Sequence, residues 1–120
     1  MRKKVAYRSN LEDSVMKDLR AKKVKFTYES LKIKYLKKPS TYTPDIVLEN
    51  GIIIEVKGYF KADDRAKHLL IKEQHPELDI RFVFQDSRKK IHKSSPTTYG
   101  MWAEKHGFKY ADKLIPEEWL

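Results

Sequence analysis

The stretch TYTPDIVLENGIIIEVKGYF, residues 41–60, decides the fold of this chain. Two apolar runs flank Asn50-Gly51, a dipeptide typical of the tight turn between paired strands, so the stretch predicts a β-hairpin. The same runs carry Asp45, Glu55 and Lys57. Because a charge in a half-buried strand is costly unless something binds it, the hairpin is also where a binding site is expected.

Two registers of this hairpin place Asp45 differently. A two-residue loop of Asn50 and Gly51 turns Asp45 away from Glu55. A three-residue loop over residues 49–51, with Gly51 left-handed in a bulge, places Asp45 directly opposite Glu55 on one face. We predict the three-residue loop.

In that register the charged side chains form a candidate metal pocket. Glu55 and Lys57 are two residues apart, so they share a face of their strand, and Asp45 joins them. Facing carboxylates repel each other unless a cation lies between them, and hard cations such as Mg²⁺ prefer oxygen ligands. Plain structural interpretations stay open as well: Asp45 could open a turn after Pro44, and Glu55 with Lys57 could be an exposed strand pair.

Composition narrows the choice of partner. The 120 residues suit a single domain, residues 1–120, with a modest core. The 26 Lys and Arg residues outnumber the 17 Asp and Glu residues, which gives a formal net charge of +9. Such an excess favours a polyanionic partner such as nucleic acid, and a basic surface without a dedicated partner is the alternative.

Residue usage excludes or disfavours several classes of site. Without cysteine, disulfides and thiolate zinc sites are excluded. No apolar run reaches the roughly 20 residues of a membrane span, and no signal core follows the basic N-terminus, so we expect a soluble intracellular protein without a membrane partner. The four histidines lack paired spacing, so each is expected at the surface or its boundary: His68, His75, His92 and His106.

Helix and strand patterns alternate along the chain, which predicts an α/β fold with a mixed central β-sheet flanked by helices. SNLEDSVMKDLRAKK predicts a helix that begins with a capping box of Ser9 and Glu12. Capping alone is also a sufficient structural explanation of Glu12. Two further helices are predicted, one from near Asp63 to before Pro76 and one from Ser95-Pro96 to Gly107. The remaining segments predict strands in VKFTYES, LKIKYL and DIRFVFQ, an extended connection in KKPSTYTP, a basic loop in SRKKIHKSS, and a short strand and final turn in FKYADKLIPEEWL.

The order PD-x(9)-EVK, residues 44–57, resembles the motif of the PD-(D/E)xK nuclease superfamily. A closer resemblance is to the endonuclease I family of T-seven-type phages, which resolves four-way DNA junctions. It covers nearly the whole chain in order, through SNLEDSV, YTPDIVLENGIIIEVKG, DDRAKHLLIKEQHPELDIRFVF, SPTTYG and EKHGFKYADKLIPEEW.

The resemblance implies a restriction-endonuclease-like fold and a function. The expected activity is that of a structure-selective DNA endonuclease, which resolves four-way (Holliday) junctions by divalent-metal-dependent phosphodiester hydrolysis. The alternatives are a general or mismatch-nicking nuclease of the same superfamily, and a non-catalytic DNA-binding module. If the protein is phage-encoded, its expected location is the cytoplasm of the bacterial host.

The same resemblance assigns the catalytic residues as Glu12, Asp45, Glu55 and Lys57. Asp45 and Glu55, with the carbonyl of Val56, would ligate one Mg²⁺ or Mn²⁺ ion, and Asp45 with Glu12 would ligate a second. Lys57 would orient or help deprotonate the attacking water and offset charge on the phosphate. Such paired metals need no covalent enzyme intermediate, and no small-molecule cofactor is implied.

The family likeness also implies a domain-swapped homodimer. The segment around residues 32–44 would bridge its two halves, and each active site would combine Glu12 of one chain with the hairpin of the other. Two departures from the family pattern bear on this. The sequence stops at Leu120, where the family continues into a basic tail, and the bridge is slightly shorter and carries Lys37 and Lys38.

Selectivity for branched DNA is expected to come from shape and phosphate contacts rather than from base reading. The candidates are basic residues at the N-terminus, near the expected site and in the basic loop, and each of them could be merely a solvated surface charge. The candidate DNA contacts are Arg2, Lys3, Lys4, Lys61, Arg65, Lys67, Arg88, Lys89, Lys90 and Lys93.

Overall fold

A computed structural model describes residues 9–36 and 39–120 of the chain. Its helices are α1 (Asn10–Ala21), α2 (Ala62–Gln74) and α3 (Tyr99–Lys105). The strands are β1 (Phe26–Tyr28), β2 (Ile33–Leu36), β3 (Pro39–Tyr42), β4 (Ile46–Leu48), β5 (Ile53–Lys57), β6 (Ile80–Phe84) and β7 (Tyr110–Asp112), and a short 3₁₀ turn, Glu117–Trp119, follows β7. None of the helices in these two ranges is long and apolar enough to cross a membrane.

A mixed five-stranded sheet forms the centre of the fold, in the order β1-β4-β5-β6-β7. Strands β1, β4 and β5 pair antiparallel, whereas β5, β6 and β7 pair parallel. The parallel part arises because α2 and α3 carry the chain back from one strand end to the start of the next. The predicted α/β fold with a mixed sheet flanked by helices is confirmed.

The segment before the hairpin differs from its prediction. KKPSTYTP was expected to be an extended connection, but Pro39–Tyr42 is strand β3 and pairs antiparallel with β2 in a separate two-stranded sheet. The expectation was wrong because an extended backbone has donors and acceptors to satisfy, and β2 supplies them. The proline stands at the first position of β3, where a strand tolerates the loss of an N–H.

Two apolar clusters cover the two faces of the central sheet. On one face α1 packs against residues such as Ile54, Val56 and Val83. On the other face lies an aromatic cluster that includes Phe60 and Phe82 and is covered by α2 and α3. Side chains alternate along β5, so its even-numbered residues face α1 and Glu55 faces α2. Each fully buried apolar side chain in the two clusters stabilises the fold by roughly 1.5–3 kcal/mol.

The hairpin adopts the three-residue loop that the sequence predicts. Gly51 has a φ of +90°, and the N–H of Leu48 donates to the carbonyl of Ile52 at 2.9 Å. Ile46 therefore pairs with Ile54, and by the same register Asp45 lies opposite Glu55.

Helix boundaries agree with the sequence except at the start of α3. This helix begins at Tyr99, later than predicted, because the side chain of Thr98 accepts from the N–H of Met101 as its N-cap. Ser9 caps α1 as predicted, by accepting from the N–H of Glu12. Gly107 follows α3 with a φ of +76°, a conformation that favours glycine.

Candidate active site

Glu55 is a buried charge of the hairpin, with neighbours on both of its carboxylate oxygens. One carboxylate oxygen, Oε2, accepts from the hydroxyl of Tyr42 at 2.9 Å and from the backbone N–H of Asp45 at 3.0 Å. The other, Oε1, lies 3.7 Å from Nζ of Lys57 and 3.5 Å from Nε2 of His68. Both oxygens of the Glu55 carboxylate therefore have donor groups close to them.

These donors keep Glu55 ionised in spite of its burial. Burial raises the pKa of the Glu55 carboxyl, but His68, Lys57 and the N–H of Asp45 outweigh it and lower the pKa to about 2. The pKa of the Tyr42 hydroxyl is raised by burial and then by the negative charges of Glu55 and Asp45. Tyr42 consequently stays protonated and serves as a permanent donor to Glu55.

Lys57 ends strand β5 and points its ammonium group between two carboxylates. Its Nζ lies 3.7 Å from Oε1 of Glu55 and 3.6 Å from Oδ2 of Asp64, which belongs to the first turn of α2. The lysine side chain is only 14% exposed. A cation fixed in this way beside an acidic site can stabilise negative charge on a bound phosphate.

Asp45 links the hairpin to the opposite side of the site. It follows Pro44 and stands just before β4, where its Oδ2 accepts from the N–H of Val56 at 2.9 Å. Its backbone carbonyl accepts from the N–H of Glu29 at 3.1 Å. Val56 thus contacts Asp45 through its N–H, and metal ligation by the Val56 carbonyl stays a prediction.

Three carboxylates from three elements converge at Asp45. Oxygen atoms of Glu12, Glu29 and Asp45 all lie within 4.8 Å of one another. Glu12 comes from the first turn of α1, and its Oε2 accepts from the hydroxyl of Tyr28 at 3.1 Å. Such an all-oxygen set fits a hard divalent cation such as Mg²⁺ or Mn²⁺, which lowers the mutual repulsion of these groups.

The structure therefore divides the predicted residues into two neighbouring groups. Glu12 and Asp45 meet in this cluster of three carboxylates, hereafter the acidic cluster. Glu55 and Lys57 meet in a second group with Tyr42 and His68, hereafter the Glu55 pocket. The two groups are joined through the backbone of Asp45, whose N–H donates to Glu55.

Glu29 is a member of the acidic cluster that the sequence did not indicate. It directly follows β1 and has a φ of +52°, an uncommon backbone conformation for a residue with a side chain. Nothing in VKFTYES separates it from an ordinary charge at a strand end. Left-handed backbone at a residue of this kind is often retained at functional sites, where the surrounding structure stabilises it.

His68 corrects an expectation about the histidines. It was predicted at the surface or its boundary, but it is completely buried on α2 against Tyr42, Phe60 and Phe82. Burial lowers the pKa of the imidazole, although the neighbouring Glu55 partly opposes this. The prediction failed because the helical pattern did not show that this polar residue faces the sheet. The other three histidines are partly or largely exposed, as expected: His75, His92 and His106.

The candidate DNA contacts that the structure describes lie on α2 or directly before it, and in the loop before α3. Arg2, Lys3 and Lys4 lie outside the described residues. Arg65 donates to the backbone carbonyl of Phe60 at 2.6 Å, and Nζ of Lys67 lies 3.8 Å from Asp64. Arg88 is 88% exposed and pairs with Asp86. The remaining candidates are exposed lysines: Lys61, Lys89, Lys90 and Lys93.

A single chain supplies both Glu12 and Asp45 in this structure. The segment 32–44, predicted to bridge two protomers, contains β2 and β3, and β2 packs against α2. Formation of a dimer, and exchange of Glu12 between protomers, stay predictions.

Known proteins are similar to this chain over most of its length. The sequence model of a family described as phage endonuclease I matches residues 1–120. Endonuclease I of Escherichia phage T7 is 59% identical over 122 residues, covering 100% of this chain and 82% of the relative. Endodeoxyribonuclease 1 of Enterobacteria phage T3 is 60% identical over 113 residues, covering 92% of this chain and 74% of that protein.

Proposed function

Because the chain belongs to the phage endonuclease I family, we propose that it is a DNA endonuclease that resolves four-way junctions by divalent-metal-dependent phosphodiester hydrolysis. The observation that carries the metal-dependent part is the convergence of Glu12, Glu29 and Asp45 within 4.8 Å. The junction-resolving part rests on the family resemblance.

Metal binding is assigned to carboxylates of both groups. Asp45 and Glu12 would hold one Mg²⁺ or Mn²⁺ ion, with Glu29 completing the oxygen set, and Asp45 with Glu55 and the Val56 carbonyl would hold a second. When bound, the ions activate water and stabilise charge on the phosphate and the leaving oxygen. The hydrogen bond from Val56 to Asp45 and that from Tyr28 to Glu12 hold these carboxylates in place for this task.

Lys57 is assigned a role toward the reacting groups, besides its contact with Glu55. Its ammonium group lies at the open end of β5, between Glu55 and Asp64, where a phosphate approaching the metals would meet it. There it orients the attacking water and offsets the charge that develops on the phosphate.

DNA binding depends mainly on phosphate contacts. The formal net charge of +9 and the exposed lysines near α2 and before α3 provide a surface that a phosphate backbone can follow. Contacts of this kind read the shape of a branched substrate and not its sequence. Affinity for DNA should therefore fall steeply as salt rises.

A homodimer fits the symmetry of the substrate. Resolution of a junction requires two matched cuts, and a two-fold assembly supplies two active sites to a substrate of similar symmetry. The segment 32–44 is proposed as the bridge. The cytoplasm of the bacterial host is the location in which such an enzyme would meet branched DNA.

The test is cleavage of an end-labelled four-way junction and a linear duplex of the same sequence, side by side, with Mg²⁺ or with EDTA. Paired cuts near the branch point that require Mg²⁺, with the duplex spared, are expected. Equal attack on both substrates would assign a general nuclease instead. Binding without any cutting of either would favour a DNA-binding module and overturn the proposal.

A further inference from the structure

His68 is a buried polar residue that the proposed chemistry leaves without a task. It lies on α2 and faces the sheet, with none of its side chain exposed. Neither ring nitrogen makes a hydrogen bond of regular geometry within the described part of the chain. A buried polar group in this state costs free energy, so its presence calls for an explanation.

The surroundings of the ring direct one nitrogen at the active site. The rings of Tyr42 and Phe82 meet the imidazole edge-on at centroid distances of 5.5 and 5.0 Å, and Phe60 packs at 6.4 Å. These contacts fix the plane of the ring. Nε2 lies 3.5 Å from Oε1 of Glu55, close enough for a small shift of either side chain to form a hydrogen bond.

We propose that His68 is a positioning residue, which holds Oε1 of Glu55 by an Nε2–H donor and so orients that carboxylate for metal binding. The inference deepens the proposed function and rests on it.

Lys57 is the reason that Glu55 needs this second donor. Lys57 also approaches Oε1, at 3.7 Å, but it is shared with Asp64 and is assigned to the phosphate and the attacking water. When Lys57 turns to the phosphate, Oε1 loses one of its two neighbours. His68 stays in place because aromatic rings enclose it, so Glu55 keeps its orientation through the reaction.

A neutral imidazole suits this task better than a second cation. A neutral ring donates one N–H without cancelling the negative charge that attracts the metal. Donors of this kind behind a ligating carboxylate typically change metal affinity or activity by about 10- to 100-fold when removed.

The first measurement is calorimetric titration of the metal-free full chain with Mn²⁺, which gives the metal affinity. The second is the rate of junction cleavage as a function of Mg²⁺ concentration. His68→Leu keeps an apolar filling but removes the donor, and His68→Gln places an amide N–H near the position of Nε2. Ile71→Val is the matched control, because Ile71 is equally buried on the same helix within the aromatic cluster. Binding of a four-way junction in EDTA is measured for all variants.

We expect His68→Leu to weaken Mn²⁺ binding by about 10-fold and to raise the Mg²⁺ concentration for half-maximal cleavage by a similar factor. Binding of the junction in EDTA should be unchanged. His68→Gln should recover most of this loss, and Ile71→Val should behave as the wild type. Equal Mn²⁺ affinity in wild type and His68→Leu would overturn the inference and leave His68 a packing residue. Failure of the wild type itself to bind Mn²⁺ would instead contradict the proposed function.

A measurement on the wild type covers the case in which His68→Leu does not fold. Nitrogen NMR of the labelled imidazole should show a proton on Nε2. A ring protonated on Nδ1 alone would leave Nε2 unable to donate to Glu55 and would also overturn the inference.

Discussion

The acidic cluster and the Glu55 pocket hold their negative charge in opposite ways. In the acidic cluster, carboxylates from three separate elements approach one another within 4.8 Å. In the Glu55 pocket, a single carboxylate has Tyr42, His68, Lys57 and the backbone of Asp45 around it. The first arrangement gains most from an added cation, whereas the second is already stabilised by the protein. The two groups are joined by Asp45, whose side chain serves one and whose N–H serves the other.

The strongest test of this division is Asp45→Asn. It removes the carboxylate that both proposed metals share, and it keeps the size of the side chain. Loss of several kcal/mol of transition-state stabilisation corresponds to a fall in cleavage rate of about 10³-fold. Single-turnover cleavage of the junction measures it, with the exposed Asp63→Asn as control. A fall no larger than that of the control would show that the acidic cluster does not hold the catalytic metal.

Lys57→Ala separates chemistry from binding. We expect turnover to fall by about 10²- to 10³-fold, because a fixed cation beside the scissile phosphate is lost. Affinity for the junction should stay close to that of the wild type. Gel-shift titration in EDTA and single-turnover cleavage in Mg²⁺ measure the two quantities, and Lys105→Ala, an exposed lysine outside the candidate DNA contacts, is the control. Near-normal cleavage by Lys57→Ala would remove the role assigned to this residue.

The Glu55 pocket should make the free energy of unfolding of the metal-free protein depend on pH in the acidic range. The pKa of Glu55 is about 2 in the folded chain against a usual value of 4.5, so its charge stabilises the fold above pH 4.5. That contribution, about 3 kcal/mol, is lost as the pH falls from 4.5 toward 2. Urea unfolding in EDTA measures it, with Glu55→Gln as the non-titrating reference. A constant difference between the two proteins over this range would contradict the pocket as described.

Glu29→Gln has the smallest expected effect and tests whether Glu29 contributes to metal binding in the acidic cluster. Removal of one of three converging charges should raise the Mg²⁺ concentration for half-maximal cleavage by about 10-fold, with little change in the rate at saturating metal. Glu49→Gln, an exposed change in the hairpin loop, is the control. Identical metal dependence of the two variants would leave Glu29 outside the site.

The sequence predicts the Glu55 side of the site better than the acidic cluster, for a physical reason. The hairpin register follows from local turn chemistry, because Gly51 allows the left-handed conformation that a three-residue loop needs. Alternation along β5 then places Glu55 and Lys57 together. Glu29 could not be found in this way, because its position depends on a left-handed backbone at a residue with no local preference for it.

Tertiary packing decides the other departures from prediction. His68 is one of several polar residues in α2, and only the aromatic rings of the sheet select it as the buried one. Strand β3 forms because β2 is available as a pairing partner, and the local sequence KKPSTYTP does not indicate this pairing. The capping box does not by itself indicate that the carboxylate of Glu12 lies near Asp45 and Glu29, and only the family resemblance paired Glu12 with Asp45.

The positions of these groups along the chain have a consequence for folding order. Every member of the Glu55 pocket lies within residues 42–68, from the end of β3 through the hairpin to α2, whereas Glu12 of the acidic cluster belongs to a distant helix. Contacts that are close in sequence cost less loop entropy and form sooner. We therefore expect the nascent molecule to complete the pocket first and to acquire the cluster when α1 docks, so that a partly folded chain has no assembled nuclease centre with which to damage DNA.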